Sequence, residues 1–262
     1  MIKIKFLGAA SQVTGSCYHL SANGLNFLVD CGLYQEREFL GRNWQPFPVP
    51  PDKIDYLLLT HAHLDHSGLI PKLVKEGFKG KIICTRPTAE LLPIVLYDTA
   101  KIQEEDAEIK RKRHEREGRK GPYPEVPLYR AADVERALPL IEAVDYHQEI
   151  NLNSEVKAIF HEAGHIIGSA MVSILIASNG SSRRLIYSGD LGQWNKPLVR
   201  DPETFQQADY IFLESTYGDR DHEESDLISE RLAQVINQTV SRQGNLVIPT
   251  FAIERAQELM YH

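Results

Sequence analysis

The sequence predicts an α/β fold in which two β-sheets pack face to face with helices on the outside. Two observations carry this expectation. Runs of strand length dominate the first third of the chain and return in its middle, with longer helical patterns between them. The 262 residues, 42% hydrophobic and 25% charged, also suffice for the sizeable core that a two-layer arrangement needs.

From the N-terminus, strands are expected at 2–8, 17–22, 25–30 and 54–60. Asn23-Gly24 reads as a tight hairpin turn, and residues 46–52 as the break before the fourth strand. A strand at 81–84 precedes a helix from about Thr88. The charged stretch 102–120 is also helical, with Asp106 and Glu108 each four residues before Lys110 and Lys112, the stabilising order. Gly121-Pro122 breaks it. Its basic cluster, Lys110 to Arg113 with Arg116, Arg119 and Lys120, reads as a solvated helix face balanced by Glu104, Glu105 and Asp106. RNA contact is the alternative. Strands resume at 155–161, 171–177, 185–188 and 210–214. An amphipathic helix at 223–242, a strand at 246–249 and a helix from Ile253 follow. That last helix stops at His262 without a C-cap, which leads us to expect a truncated domain.

Lys and Arg number 29 against 36 Asp and Glu, a net charge of −7. This weighs against a dedicated nucleic-acid-binding protein, but not against a nuclease whose bound dications offset acidic ligands. The chain lacks a long apolar run, so neither a signal peptide nor a membrane span is expected. Three scattered cysteines, Cys17, Cys31 and Cys84, read as buried free thiols in a reducing, cytoplasmic compartment.

The segment His61-Ala62-His63-Leu64-Asp65-His66 follows the apolar run 56–59 and so lies at a strand's exit, where loops carry sites. Imidazole nitrogen and carboxylate oxygen are the donors that catalytic zinc uses. His61 and His63, two apart, can converge on one metal, and Asp65 and His66, past a bend, can face a second. His165 sits between glycines after the strand at 155–161, and Asp190 ends another strand in Ser188-Gly189-Asp190. Either alone is a weak signal. Their order behind the first motif strengthens both.

With these residues in hand, the sequence resembles the metallo-β-lactamase superfamily, whose first motif is matched by Asp30 in Leu28-Val29-Asp30-Cys31-Gly32. The resemblance implies an αββα sandwich of two mixed sheets flanked by helices. It implies that His61, His63 and His165 hold one Zn²⁺ and that Asp65, His66 and a bridging Asp190 hold the other. Asp30 would orient ligands by hydrogen bonds. Phe212-Leu213-Glu214-Ser215-Thr216-Tyr217-Gly218 resembles motif A of the β-CASP nucleases, and the stretch from Pro249 to Glu258 resembles the opening of their cap domain. The domains are accordingly expected at 1–208 (metallo-β-lactamase) and 209–262 (an incomplete β-CASP start).

That resemblance implies an RNA phosphodiesterase, with RNA as substrate and a homodimer as its possible assembly. Asp65 and Asp190 would position the attacking water, and Glu214 would orient a general acid. Two histidines that the family carries beyond its cap domain do not occur before residue 262. The second zinc site is therefore expected to be short of a ligand, and this chain to turn over weakly. No other histidine has a motif around it, although His161, four before His165, merits watching. The alternatives are a thioester, lactam or DNA hydrolase of the same fold, or a non-catalytic scaffold in RNA processing.

Overall fold

The computed structural model describes residues 1–178, 180–220 and 228–262. Its strands and helices run β1 (Lys3–Phe6), β2 (Tyr18–Ala22), β3 (Leu25–Val29), β4 (Tyr56–Leu58), α1 (Leu64–Ser67), α2 (Ile70–Lys75), β5 (Lys81–Thr85), α3 (Arg86–Glu117) and α4 (Ala131–Ala137). Then come β6 (Ile141–Val144), β7 (Ile150–Asn151), β8 (Val156–Glu162), β9 (Ala170–Ser178), β10 (Ser181–Tyr187), β11 (Tyr210–Phe212), α5 (Ile228–Ser241) and α6 (Arg255–Tyr261).

Two mixed sheets form, as the sequence predicts. One has the order β1-β2-β3-β4-β5-β6 and the other β11-β10-β9-β8-β7. In the first, β1, β2 and β3 pair antiparallel, and β3 to β6 run parallel. The second is antiparallel except where β10 meets β11. Alternation along the strands explains the layering. Leu57 and Ile82 turn to the helix side and pack with Ile70, Leu73, Leu92, Leu96 and Val134 of α2, α3 and α4. Their strand neighbours Leu58 and Ile83 turn the other way and meet Val156, Phe160, Val172 and Ile174 of the second sheet.

The two helical patterns around Thr88 and after Ile102 are one 32-residue helix, α3. Thr85 caps it by accepting from the Thr88 amide, and it ends at Gly118, before the expected breaker. Its ion pairs Lys110–Asp106 and Lys112–Glu108 lie on an exposed face. All three cysteines are buried and free.

One expectation needs correcting. Residues 246–249 form no strand: they are exposed and pair with no strand among the described residues. The helix expected at 223–242 is described from Ile228 to Ser241, and 223–227 lies outside the described residues. β11 pairs with β10, so the second sheet takes in Tyr210–Phe212, residues that the sequence assigns to the cap region.

Candidate metal centre

The sheet edges place the histidine motif. β4 stops at Leu58, and the chain turns through Thr60, His61 and His63 into the short α1, whose N-cap is His63. The Asp65 carbonyl accepts from the Ser16 amide at 2.8 Å and the His66 carbonyl from the Cys31 amide at 2.7 Å, so α1 is latched to the loops after β1 and β3. Gly32 is needed in that latch, because a Cβ there would lie 1.6 Å from the Asp65 carbonyl oxygen.

His165 lies in the loop between β8 and β9, where Ser169 Oγ accepts from the amides of His165 (3.0 Å) and Ile166 (3.2 Å). Asp190 follows β10. Its turn is held by the Gly192 amide, which donates to the Ala163 carbonyl at 2.9 Å, and by Glu214 Oε1, which accepts from the Leu191 amide at 2.7 Å.

His63 Nδ1 stands 3.2 Å from His61 Nε2 and 3.1 Å from His165 Nε2. Asp190 Oδ2 lies 3.8 Å from His61 Nε2 and 3.6 Å from His165 Nε2. These spacings are near the ~3.3 Å edge that follows for a tetrahedron with ~2.0–2.1 Å metal–nitrogen bonds. Asp190 turns its other oxygen, Oδ1, to His66 Nε2 at 3.1 Å, and His66 Nε2 lies 3.9 Å from Asp65 Oδ2. Two groups able to hold a metal therefore share one carboxylate: His61, His63, His165 and Asp190, and Asp65, His66 and Asp190.

Hydrogen bonds behind the donors support this fit. Asp30 Oδ2 lies 2.7 Å from His66 Nδ1, and Thr60 Oγ1 lies 3.1 Å from His61 Nδ1. Each occupies one ring nitrogen and leaves Nε2 directed at the cluster. Asp30 adopts a left-handed backbone (φ 60), which an aspartate tolerates better than most residues. Thr60 donates to Asp30 from its amide and hydroxyl, both at 2.9 Å, and Ser16 Oγ donates at 3.2 Å.

Electrostatics divide the two groups. Burial and neighbouring imidazoles hold His61 well below the ordinary histidine range, and burial pushes His165 down to about 4. Burial opposes the charged form of His66 too, but the Asp190 and Asp30 carboxylates outweigh it and hold its pKa well above the ordinary value. Burial raises Asp65. It also acts on Asp190, where His66 and the other imidazoles override it and keep the carboxyl strongly acidic.

The expected donors His61, His63, Asp65, His66, His165 and Asp190 lie together here with Asp30 behind them, whereas His161 lies outside this centre. Glu214 reaches it through the backbone of the Asp190 turn. Sequence reasoning missed Thr60, Ser16 and Ser169, small hydroxyl residues with no spacing signature of their own. It also missed Phe251, whose ring centroid is 6.2 Å from that of His63.

A model of the metallo-β-lactamase superfamily matches residues 11–212. The chain is 38% identical over 260 residues to a Thermus thermophilus protein named ribonuclease TTHA0252, covering 99% of this chain and 54% of that protein. It is 32% identical to the transcription termination factor FttA of Methanocaldococcus jannaschii, covering 99% of this chain and 38% of that protein. It is also 32% identical to cleavage and polyadenylation specificity factor subunit 3-I of Arabidopsis thaliana, covering 97% of this chain and 34% of that protein. The chain thus spans about half or less of the length of these relatives.

Proposed function

The chain belongs to the metallo-β-lactamase superfamily, and on that premise we propose that it carries the metal centre of a β-CASP ribonuclease that cleaves RNA phosphodiester bonds with two zinc ions. The observation that carries the reading is the placement of Asp190, with one oxygen toward three imidazoles and the other toward His66. The RNA substrate is supported by the names of the relatives and by the motif around Glu214.

His61, His63, His165 and Asp190 would hold one ion, and Asp65, His66 and Asp190 the other. Such a pair supplies Lewis-acid polarisation of phosphate oxygens and acidifies a water toward neutrality. The chain's own groups do the rest. The Asp65 and Asp190 carboxylates accept hydrogen bonds from the attacking water and orient it. Asp30 fixes the ring of His66, and Thr60 that of His61. Glu214 secures the Asp190 turn and, by the resemblance, orients the group that protonates the leaving oxygen. By the resemblance, residues 1–208 form the metallo-β-lactamase domain and residues 209–262 the start of the β-CASP domain. The buried free thiols favour a reducing, cytoplasmic setting, and no helix among the described residues is long and apolar enough to cross a membrane. A homodimer is the assembly that the resemblance implies.

The test incubates the full-length protein and zinc with end-labelled RNA, DNA of the same sequence and a β-lactam. The reading requires RNA cleavage that chelation abolishes and Asp190→Ala does not support. Turnover of DNA or lactam without RNA cleavage would move the chain to another branch of the superfamily. Zinc binding without turnover of any of them would favour the scaffold.

A further inference from the structure

A second group of metal-type donors lies outside this centre: His147, His161 and Glu203, with one ligand atom of each within 4.8 Å of the others. They come from three separate segments. His147 lies in the turn between β6 and β7, His161 on β8, and Glu203 in the stretch between Asp190 and β11. No single sequence motif contains them.

The local backbone sets up the group. His147 has a left-handed conformation (φ 64), held by its amide donating to the Phe160 carbonyl at 2.9 Å. Non-glycine residues in that region are uncommon and worth a functional explanation. The Glu203 backbone and side chain both grip β8: its amide donates to the Glu162 carbonyl at 3.0 Å, and its Oε1 accepts from the Glu162 amide at 2.9 Å. Phe205 packs edge-on against His161, with ring centroids 4.8 Å apart. The three side chains are thereby fixed with His147 Nε2 3.3 Å from Glu203 Oε1 and His161 Nδ1 3.2 Å from Glu203 Oε2. Each imidazole thus faces its own oxygen of Glu203, a spacing compatible with one ion held by both rings and the carboxylate through ~2.0–2.2 Å bonds.

We propose that His147, His161 and Glu203 form a second, peripheral site for a first-row divalent ion, best suited to zinc, that clamps the segment after Asp190 to β8. The donor chemistry decides the class of ion. Two imidazoles and one carboxylate suit zinc, copper or nickel, whereas calcium and magnesium demand all-oxygen shells. The site is open, with the His147 side chain 62% exposed, so water completes the coordination. The ion contacts no substrate. It joins β8, which leads into the His165 loop, to the segment that starts at Asp190, and so restrains two donors of the main centre from one side.

The experiment is a zinc titration of the full chain against a chromophoric chelator, with bound metal counted by mass spectrometry and the melting temperature followed. His147→Asn removes a donor while tolerating the left-handed backbone, and Glu203→Gln retains an oxygen for the Glu162 amide. The wild type should bind one zinc more than His147→Asn. Glu203→Gln should weaken that one ion by more than about tenfold, the lower end of what loss of a merely supporting residue costs. Both variants should keep the ions of the main centre and lose part of the zinc-dependent rise in melting temperature. Equal stoichiometry and affinity in the wild type and both variants would overturn the proposal, as would loss of the extra ion in a His61→Ala variant alone. Because the count is separate from turnover, it stands or falls independently of the ribonuclease reading.

Discussion

His61, His63 and His165 face one another as neutral, mostly buried rings that converge on one oxygen of Asp190, whereas His66 lies between three carboxylates, Asp30, Asp65 and Asp190. The first group brings four donors to one point, three of them nitrogen, and the second brings three, two of them oxygen. Nitrogen-rich tetrahedral sets suit zinc, while oxygen-rich sets admit manganese as well. The first ion should therefore bind more tightly and more selectively, and the second should respond more to its surroundings. Asp190 is the only donor common to both groups.

Asp190→Ala offers the largest effect and the most direct way to break this contrast. It should abolish stoichiometric binding at both positions and lower RNA cleavage by at least about a thousandfold, an effect in the range of losing a principal electrostatic stabiliser. Retention of one tightly held ion would mean that the groups do not depend on a shared carboxylate. His165→Ala comes next. It should weaken the first ion by more than about a hundredfold, beyond the range for loss of a supporting residue, and leave the second nearly unchanged. Isothermal titration resolves the two steps.

Asp30→Asn sharpens the comparison. Asparagine tolerates the left-handed backbone at this position, so the change removes the charge behind His66 with little strain. The second ion should weaken about tenfold and the first hardly at all. Equal losses would show that Thr60, which bonds Asp30 and also approaches His61, couples the two groups.

A separate effect is on the stability of metal-stripped protein. His165 has a folded pKa of about 4, below the ordinary value near 6.5, so the unfolded chain binds the extra proton first. Stability should fall by a few kcal/mol as pH drops from about 6.5 toward 4. His66 has a raised folded pKa, so its contribution is complete below about 6.5 and is lost as pH climbs through the folded value. Urea midpoints across pH 4–9, with His165→Asn flattening the acid side, check both signs.

Much of this was legible in the sequence, for identifiable reasons. β3, β4 and β8 to β10 were readable because apolar runs and alternation report burial between two layers. The six residues from His61 to His66 were readable because so many donors in so short a span have no packing explanation. α4, β6 and β7 were not foreseen, being short and set apart from any long period. Residues 246–249 have strand-like composition, yet they are exposed and pair with none of the described strands. Thr60, Ser16 and Ser169 carry no signature because their contribution is a hydroxyl placed by tertiary contact. His147, His161 and Glu203 meet only because the β6–β7 turn and the post-Asp190 segment both cross β8. His161 alone had drawn notice, through its spacing from His165.

Gly192 touches Gly164 so closely that a Cβ on it would lie 1.5 Å from the Gly164 carbonyl oxygen. The Asp190 turn and the His165 loop therefore pack backbone against backbone, and moving one away from the other breaks that contact. Together with the Gly192–Ala163 hydrogen bond, this makes the two loops one unit of local unfolding. Their backbone amides should exchange with solvent deuterium at a common rate, released in a single step.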